Sequence, residues 1–363
     1  MSQSTFGKKF TVTTWGESHG KALGAVVDGV PAGLFLTETD IQAYLDRRKP
    51  GQSRYTTARN EGDEVEILSG VFEGQTTGTP ISMIVRNKDQ RSHDYGNIAN
   101  TYRPGHADFG FDSKYGIRDY RGGGRSSGRE TIGRVAAGAI AAKILKELGI
   151  TLQAYTNSIG PVFCQTYHPE VIRENSFYMP DMVAAKNAIK YLESCMRKDD
   201  SAGGVIECRI NGVPAGIGDP VFGKLDAAFA QALMSIGAVK AVEIGDGTKV
   251  STMKGSENND GFHMENGKIV KTSNHSGGIL GGISDGDEIL LRAHIKPTPS
   301  ISKPQQTVTK TGEDISIEIK GRHDPVIVPR AVVVVESMAA ITLVDAMFSN
   351  MSARMDYLKD FYL

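Results

Sequence analysis

The stretch GAVVDGVPAGLFLTETDIQAYLDRR, residues 24–48, contains a five-residue turn, GVPAG, that returns unchanged at residues 212–216. The second copy lies in GGVIECRINGVPAGIGDPVFGKLDAAFAQALMS, residues 203–235. Each stretch begins with an apolar run typical of a strand and ends in a segment with the apolar spacing of an amphipathic helix. The sequence therefore predicts a strand-turn-helix unit that occurs twice.

Two weaker matches follow the repeated turn in the same order. Residues 70–89 and 281–299 both read as a glycine-flanked turn and an alternating strand, and residues 124–145 and 321–346 both open a long apolar helix after a Gly-Arg turn. Three ordered matches indicate an internal duplication. We predict a single domain over residues 1–363, with halves at roughly 1–150 and 200–355 and an insertion between them.

The helix predicted after residue 130 is apolar on nearly every side. Alanine and glycine fill most of the positions between its larger apolar residues, which are Ile132, Val135, Ala136, Ala139, Ile140, Ile144 and Leu148. Such a helix can be approached closely from several directions, as between two sheets. Short, turn-like strand connections favour antiparallel pairing. The predicted fold class is α+β: an internally duplicated β-α-β sandwich with a helical layer between two antiparallel sheets.

Composition narrows the class of protein. The chain has 363 residues with a formal net charge of -1, so binding of anions must be local. Its three cysteines, Cys164, Cys195 and Cys208, have no CxxC spacing, which is typical of a reducing compartment. There is no apolar leader pattern at residues 1–14 and no run of eighteen apolar residues. We therefore expect a cytoplasmic protein that does not interact with membranes.

The loop RDYRGGGRSSGRE, residues 118–130, is the first candidate for a binding site. Ser127 and Glu130 have the spacing of a helix capping box, so Ser127 is the expected N-cap. Arg125 and Arg129 then lie beside the positive end of a helix, which favours a bound anion between them. A solvated basic loop and an RNA-binding segment are the alternative interpretations of this stretch. The alternative function is a non-catalytic protein that binds polyanions or RNA.

Other loops carry further basic and hydroxyl candidates, which are Arg48, Arg54, Lys296, Thr298, Ser300, Arg322 and Arg330. Arg322 and Arg330 occupy the position in the second half that matches the glycine-rich loop in the first. If the halves pack about a pseudo-twofold axis, both of these arginine turns could face one cleft. Such a cleft would suit a small substrate with several negative charges.

Histidines form the second group of candidates. His19, His106, His275 and His323 all lie in loops flanked by glycine or proline, a setting that favours proton transfer. Metal binding is the competing use, but no pair has HxxxH or HExxH spacing, and an arginine-rich site repels a cation. We predict no metal site.

Eight segments together resemble the chorismate synthase family, in order, along nearly the whole chain. They are GESHGKALGAVVDGVPAG (16–33), RRKPGQSRYTT (47–57), RPGHADFGF (103–111), KYGIRDYRGGGRSSGRETIGRVAAGAIA (114–141), ALMSIGAVKAVEIGDG (232–247), NHSGGILGGIS (274–284), KPTPSI (296–301) and GRHDP (321–325).

The resemblance implies a reaction that the residues alone do not name. The family converts 5-enolpyruvylshikimate 3-phosphate to chorismate by 1,4-elimination of phosphate, the last common step of aromatic amino acid biosynthesis. Members need reduced FMN, and NADPH is a possible reductant of that flavin. The resemblance also implies a homotetramer that binds neither nucleic acid nor membranes, and it agrees with the predicted sandwich.

The resemblance also implies roles for particular residues. His19 would protonate the flavin, His106 would protonate the departing phosphate, and Asp324 would assist deprotonation. Substrate or NADPH would meet Arg48, Arg54 and Arg129. Contacts to FMN are implied for Arg125, Ser126, Ser127, Gly237, Ala238, Gly281, Lys296, Pro297, Thr298, Pro299, Ser300 and Arg322.

Three positions depart from the family pattern. Gly237 stands where asparagine is usual, so an amide side chain that could meet the flavin is replaced by backbone. Gly128 replaces a frequent alanine, and Pro299 stands where serine is common.

Overall fold

The computed structural model describes residues 4–52, 55, 61–88, 99–319 and 324–363. Two of the arginines predicted to bind anions, Arg54 and Arg322, lie outside the described residues, as does the loop histidine His323.

The described residues form both helices and strands. The helices are α1 (Glu38–Arg48), α2 (Asp108–Tyr115), α3 (Thr131–Glu147), α4 (Met182–Met196), α5 (Leu225–Met234), α6 (Gly255–Asn258), α7 (Val328–Asn350) and α8 (Met355–Tyr362). The strands are β1 (Thr5–Phe6), β2 (Thr11–Gly16), β3 (Ala22–Asp28), β4 (Val65–Ile67), β5 (Val71–Phe72), β6 (Gln75–Thr76), β7 (Ile81–Arg86), β8 (Thr151–Ile159), β9 (Val162–Phe163), β10 (Gly204–Asn211), β11 (Val239–Ile244), β12 (Phe262–Glu265), β13 (Lys268–Lys271), β14 (Ile279–Leu280), β15 (Ile283–Ser284), β16 (Ile289–Ile295), β17 (Gln305–Val308) and β18 (Asp314–Ile317).

Two five-stranded sheets organise the chain. The first has the order β1-β2-β3-β7-β4 and the second the order β11-β16-β10-β8-β9. Neighbouring strands within both sheets run antiparallel, so the predicted pairing and the α+β class are confirmed. Strand β8 follows residue 150 directly and pairs with β10 in the second sheet, so the second sheet begins before residue 200.

The two GVPAG turns are built from the same hydrogen bonds. In the first, the Thr76 hydroxyl donates to the Pro31 carbonyl at 2.6 Å and accepts from a turn amide at 3.0 Å. In the second, the Ser284 hydroxyl donates to the Pro214 carbonyl at 2.7 Å and accepts from the matching amide at 2.9 Å. In both halves a β-hairpin hydroxyl therefore satisfies the buried polar groups of the turn.

Helices α3 and α7 form the centre of the core. They pack on each other, α3 also contacts β2, β3 and β8, and α7 also contacts β8 and β10. At their crossing, a Cβ atom added to Gly138 would lie 2.2 Å from the Cβ of Ser337. The small residues predicted to allow close approach are therefore used where the two helices meet.

Gly138→Ala is expected to lower the free energy of unfolding by about 1–3 kcal/mol, the usual result of overpacking a core. The added methyl group would overlap the backbone and side chain of Ser337. Urea unfolding measures the change. Gly128→Ala is the matched control, because a Cβ there meets nothing within 4 Å. Equal stability of the two variants would contradict the close packing of α3 on α7.

Helix α7 is long and apolar enough to cross a membrane by length and composition alone. However, 78% of its most apolar window is buried inside the protein, as expected for a core helix.

Candidate functional site

The glycine-rich loop ends in two single turns of 3₁₀-helix, Gly124–Ser126 and Gly128–Glu130, before α3 begins. The hydroxyl of Ser127 accepts a hydrogen bond from the Arg129 amide at 3.3 Å, as predicted for an N-cap. The capping box itself is wrong, because Glu130 binds elsewhere. Its carboxylate accepts from the Thr14 hydroxyl at 3.0 Å and from Arg134 at 2.9 Å. The Ser127 amide, which a capping box would offer to Glu130, donates to the Gly124 carbonyl at 3.3 Å instead.

The side chain of Arg125 is hydrogen-bonded to strand β2. Its guanidinium donates to the Gly16 carbonyl at 3.1 Å, to the Thr14 carbonyl at 3.1 Å and to the Thr14 hydroxyl at 2.6 Å. The sequence suggested that Arg125 and Arg129 would be unfavourable beside the positive end of the helix unless an anion lay between them. Groups of the protein stabilise both arginines instead.

A buried carboxylate, Asp63, bridges Arg129 and Arg48. Its two oxygens lie 2.7 Å from Arg48 Nη2 and 2.9 Å from Arg129 Nη1. The Arg48 side chain is only 2% exposed, and burial lowers its pKa to about 10, so it remains charged at neutral pH. Burial alone would raise the pKa of Asp63, but the two guanidinium groups hold it below its usual value. Arg48 is thus buried and ion-paired within the protein.

Asp324 is linked to Arg48 through Arg330. It accepts from Arg330 at 2.6 Å, and Arg330 donates through Nε to the Arg48 carbonyl at 3.1 Å. Arg330, predicted to face the cleft in the second half, is therefore paired within the protein. The chain of contacts brings the predicted residues Asp324, Arg48 and Arg129 together.

His19 is buried in the turn after β2. The Ser18 hydroxyl lies 3.1 Å from its Nδ1, and the residue is 9% exposed. The glycine-rich loop approaches the ring so closely that a Cβ on Gly122 would lie 2.5 Å from Nδ1. Only glycine can bring the loop this close, which explains part of the glycine run.

His106 lies in a second cluster, built from the loops at 103–108 and 296–300. Its Nδ1 is 3.0 Å from the Pro104 carbonyl, and its Nε2 is 3.0 Å from the Ser300 hydroxyl. A carbonyl can only accept, so we assign the neutral ring hydrogen to Nδ1. Nε2 then carries the lone pair and accepts from Ser300. Burial, with the charges of Arg103 and Lys296, lowers the pKa of His106 to about 4.

The lowered pKa of His106 predicts a pH dependence of stability. A histidine whose pKa is lowered in the folded state retains its stabilising effect above about pH 6.5 and loses it as the pH falls towards 4. Between pH 7 and 4.5 the wild type should lose roughly 1–3 kcal/mol more unfolding free energy than His106→Gln. Urea unfolding across this range measures the difference, and parallel curves for the two proteins would contradict it.

The predicted cofactor residues of the second half that the structure describes lie together, except for Gly281. The Ala238 carbonyl accepts from the Lys296 amide at 2.9 Å, which places Gly237 and Ala238 beside residues 296–300. In that segment, Pro299 packs on Gly105 and Pro297 is exposed. Gly281 instead lies in the β14–β15 turn, where its neighbour bonds to the first residue of α5. Gly281 therefore lies near the start of α5, whereas Gly237 follows the end of this helix, which is about 15 Å long.

A cavity of about 950 Å³ opens beside the glycine-rich loop. Arg125, Ser126 and Glu17 line it from the first half, and Ser235 lines it from the turn before Gly237. Arg134 joins these two walls by donating to the Ser235 hydroxyl at 2.6 Å. Other lining residues include Thr14, Ala107, Asp108, Asp119, Gly122, Gly123, Gly124 and Glu130.

Three side chains at this site were missed by the sequence analysis: Asp63, Asn87 and Arg134. Asp63 and Asn87 follow no periodic pattern, and only the loops around them bring them to Arg129. Arg134 could have been found from its i, i+4 spacing to Glu130. Across the described part of the chain, no three histidine, cysteine or carboxylate side chains are grouped to hold a metal ion.

Comparison with known proteins identifies the family of the chain and agrees with its α+β fold. Residues 10–348 match the model of the chorismate synthase family. A protein named chorismate synthase from Lachnoclostridium phytofermentans is 64% identical over 366 residues, which cover 100% of both chains. One from Methanocella arvoryzae is 57% identical and covers 96% of this chain and 95% of its own. A crystal structure of chorismate synthase superimposes with a TM-score of 0.78 at 32% identity, covering 98% of this chain and 96% of that one.

The family match and the similarity to these relatives place the chain among lyases that act on a small molecule. The chain belongs to the chorismate synthase family.

Proposed function

We propose that this protein eliminates phosphate from 5-enolpyruvylshikimate 3-phosphate to give chorismate, with reduced FMN as a required cofactor. The observation that carries the proposal is the cavity beside the glycine-rich loop, which joins Arg125 and Ser126 to the turn preceding Gly237 in a chain of this family. Its volume of about 950 Å³ is of the size that small-molecule and cofactor sites have.

Residues around Lys296 fit a bound cofactor. The Thr298 hydroxyl is buried and, within the described residues, has no hydrogen-bond partner in the protein. A buried hydroxyl of this kind costs free energy unless a ligand meets it. We assign FMN contacts to Arg125, Ser126, Ser127, Gly237, Ala238, Lys296, Pro297, Thr298, Pro299 and Ser300. Gly281 and Arg322 remain in the proposed set, and a second copy of the chain is one way to supply Gly281.

Reduced FMN, when bound, supplies electron density that helps the phosphate to leave and a nitrogen that takes the proton lost from C6. The side chains of the protein have to supply and accept the protons of the reaction. We assign His106 to the departing phosphate, His19 to the flavin and Asp324 to the deprotonation step. Because His106 is neutral in the free protein, the phosphate dianion must raise its pKa before it can donate.

Substrate anions are assigned to Arg48, Arg54 and Arg129, with NADPH as a possible reductant at Arg48 and Arg54. Since Asp63 neutralises part of the Arg48–Arg129 pair, we propose that these arginines act mainly through the field of the whole cluster. Arg129 Nη2 makes no hydrogen bond in the described structure, although Glu61 lies 3.4 Å away.

The remaining proposals concern organisation. We propose a single domain formed by duplication, with α3 and α7 as a helical layer between two antiparallel sheets and β8 opening the second half. The equal order β2-β3-β7-β4 and β8-β10-β16-β11 supports it, as do the two identically bonded turns. A cytoplasmic homotetramer that binds neither nucleic acid nor membrane is proposed from the family alone.

An anaerobic assay of phosphate release tests the function. The purified protein is mixed with 5-enolpyruvylshikimate 3-phosphate and reduced FMN, oxidised FMN or no flavin. Release with reduced FMN alone is expected. No release in any arm would overturn the lyase proposal and favour the alternative, a polyanion- or RNA-binding protein. Release that needs no flavin and stops with a chelator would instead indicate metal-dependent hydrolysis. Oxidation of NADPH by the protein with FMN tests the reductant.

A further inference from the structure

The side chain of Asn87 joins the turn that carries His19 to Arg129. Its Oδ1 accepts from Arg129 Nε at 2.6 Å, and its Nδ2 donates to the Glu17 carbonyl at 3.1 Å and the Gly20 carbonyl at 2.7 Å. An arginine can only donate and a carbonyl can only accept, so this orientation of the amide satisfies all three bonds. Neither aspartate nor leucine could replace asparagine at this position without losing at least two of them.

Asn87 holds both ends of the His19 turn. The Gly20 amide donates to the Glu17 carbonyl at 3.1 Å, which closes a turn with Ser18 and His19 at its centre. Asn87 Nδ2 binds the two carbonyls at the ends of this turn, and the Asn87 amide donates to the Lys21 carbonyl at 3.1 Å. The residue that follows strand β7 therefore fixes the His19 turn at three points.

Arg129 is held at its other end by carboxylates. Asp63 lies 2.9 Å from Nη1 and Glu61 lies 3.4 Å from Nη2, which leaves Nε to Asn87. One amide thus sets the spacing between the His19 turn and the buried arginine cluster. We propose that Asn87 is a positioning residue that holds His19 in register with Arg129. This inference rests on the proposed function for its effect on turnover, but not for its effect on His19.

Double-mutant kinetics test the effect on turnover. Asn87→Ala should lower kcat/KM for phosphate release by about 10- to 100-fold, the usual consequence of misplacing a reacting group by 1 Å or less. In a His19→Ala background the same change should have little further effect, because the residue it positions is gone. Equal losses in both backgrounds would overturn the proposal. Asn87→Asp keeps the shape and the acceptor for Arg129 but loses both donors, and should behave like Asn87→Ala.

Asn274→Ala is the matched control. The Asn274 amide oxygen also accepts from a cation, Lys271 Nζ, at 2.9 Å, and its nitrogen donates to the Glu288 carbonyl at 2.8 Å. None of these partners belongs to the proposed site. We expect a similar loss of local hydrogen bonds with little change in kcat/KM.

Histidine NMR provides a readout that does not depend on turnover. In protein labelled with ¹³C-histidine, the His19 ring signal is the one absent from His19→Ala. Its chemical shift should change in both Asn87 variants and stay unchanged in Asn274→Ala. An unchanged His19 signal would overturn the positioning role whatever the activity. A wild type that releases no phosphate, while the signal still moves in the variants, would overturn the proposed function alone.

Discussion

Asp63→Asn is expected to lower the free energy of unfolding by about 3–5 kcal/mol, the usual result of removing one partner from a buried ion pair. The side chain of Asp63 is 0% exposed and its oxygens meet two guanidinium groups, one of them on an arginine that is 2% exposed. An amide of the same shape would leave Arg48 and Arg129 close together without a shared countercharge. Urea unfolding at pH 7 measures the loss.

Asp46→Asn is the control for Asp63→Asn. Asp46 pairs with Lys49 at 2.9 Å, but both side chains are more than a third exposed, so its loss should change stability by about 1 kcal/mol or less. Comparable effects of the two substitutions would mean that the shared carboxylate does not hold the arginines together.

The Asp63 bridge also changes what Arg48→Ala should do. From sequence, Arg48 is an anion ligand, and its removal should weaken substrate binding. In the structure, the same substitution leaves Asp63 with Arg129 as its remaining ion-pair partner among the described residues and opens space beside Gly128. Stability should therefore fall together with substrate affinity, and a KM effect of Arg48→Ala can be interpreted only beside an unfolding curve.

The sequence predicted the elements of the fold better than the partners of the candidate site residues. GVPAG turns, antiparallel strands and a close-packed central helix follow from local patterns, and the structure has them. The partners of the arginines depend on contacts between residues far apart in the chain. Asp63 lies 15 residues from Arg48 and 66 from Arg129, in a loop without any periodic signal. No spacing rule could therefore indicate that Arg129 is neutralised within the protein.

The Glu130 carboxylate is a second group whose partner could not be predicted from local sequence. Its S-x-x-E spacing to Ser127 is that of a capping box, yet Thr14, 116 positions away, binds it instead. A strand that packs against the start of α3 outcompetes the local partner, because the buried carboxylate needs donors that solvent cannot supply. Local motifs therefore predicted where the helix starts but not what its first carboxylate binds.

His106→Ala is expected to slow phosphate release by roughly 10²- to 10⁴-fold, the usual contribution of a general acid, while FMN affinity stays nearly unchanged. The imidazole lies between the Pro104 carbonyl and the Ser300 hydroxyl, and its Nε2 is the atom available for proton exchange. Single-turnover phosphate release with reduced FMN measures the rate, and a flavin titration measures the affinity. A rate within error of the wild type would remove His106 from the mechanism.

The low pKa of His106 means that bound phosphate has to change the protonation of this residue. At about 4 in the free protein, the ring is almost entirely neutral at pH 7 and cannot donate a proton. Burial and the charges of Arg103 and Lys296 lower the pKa of His106. The negative charge of a bound phosphate dianion would counteract these two positive charges and raise the pKa. Inorganic phosphate should therefore raise the titration midpoint of the His106 ring signal in NMR, whereas chloride at equal ionic strength should not. If His106 stayed neutral at pH 7 with phosphate bound, the proton for the leaving group would have to come from another residue.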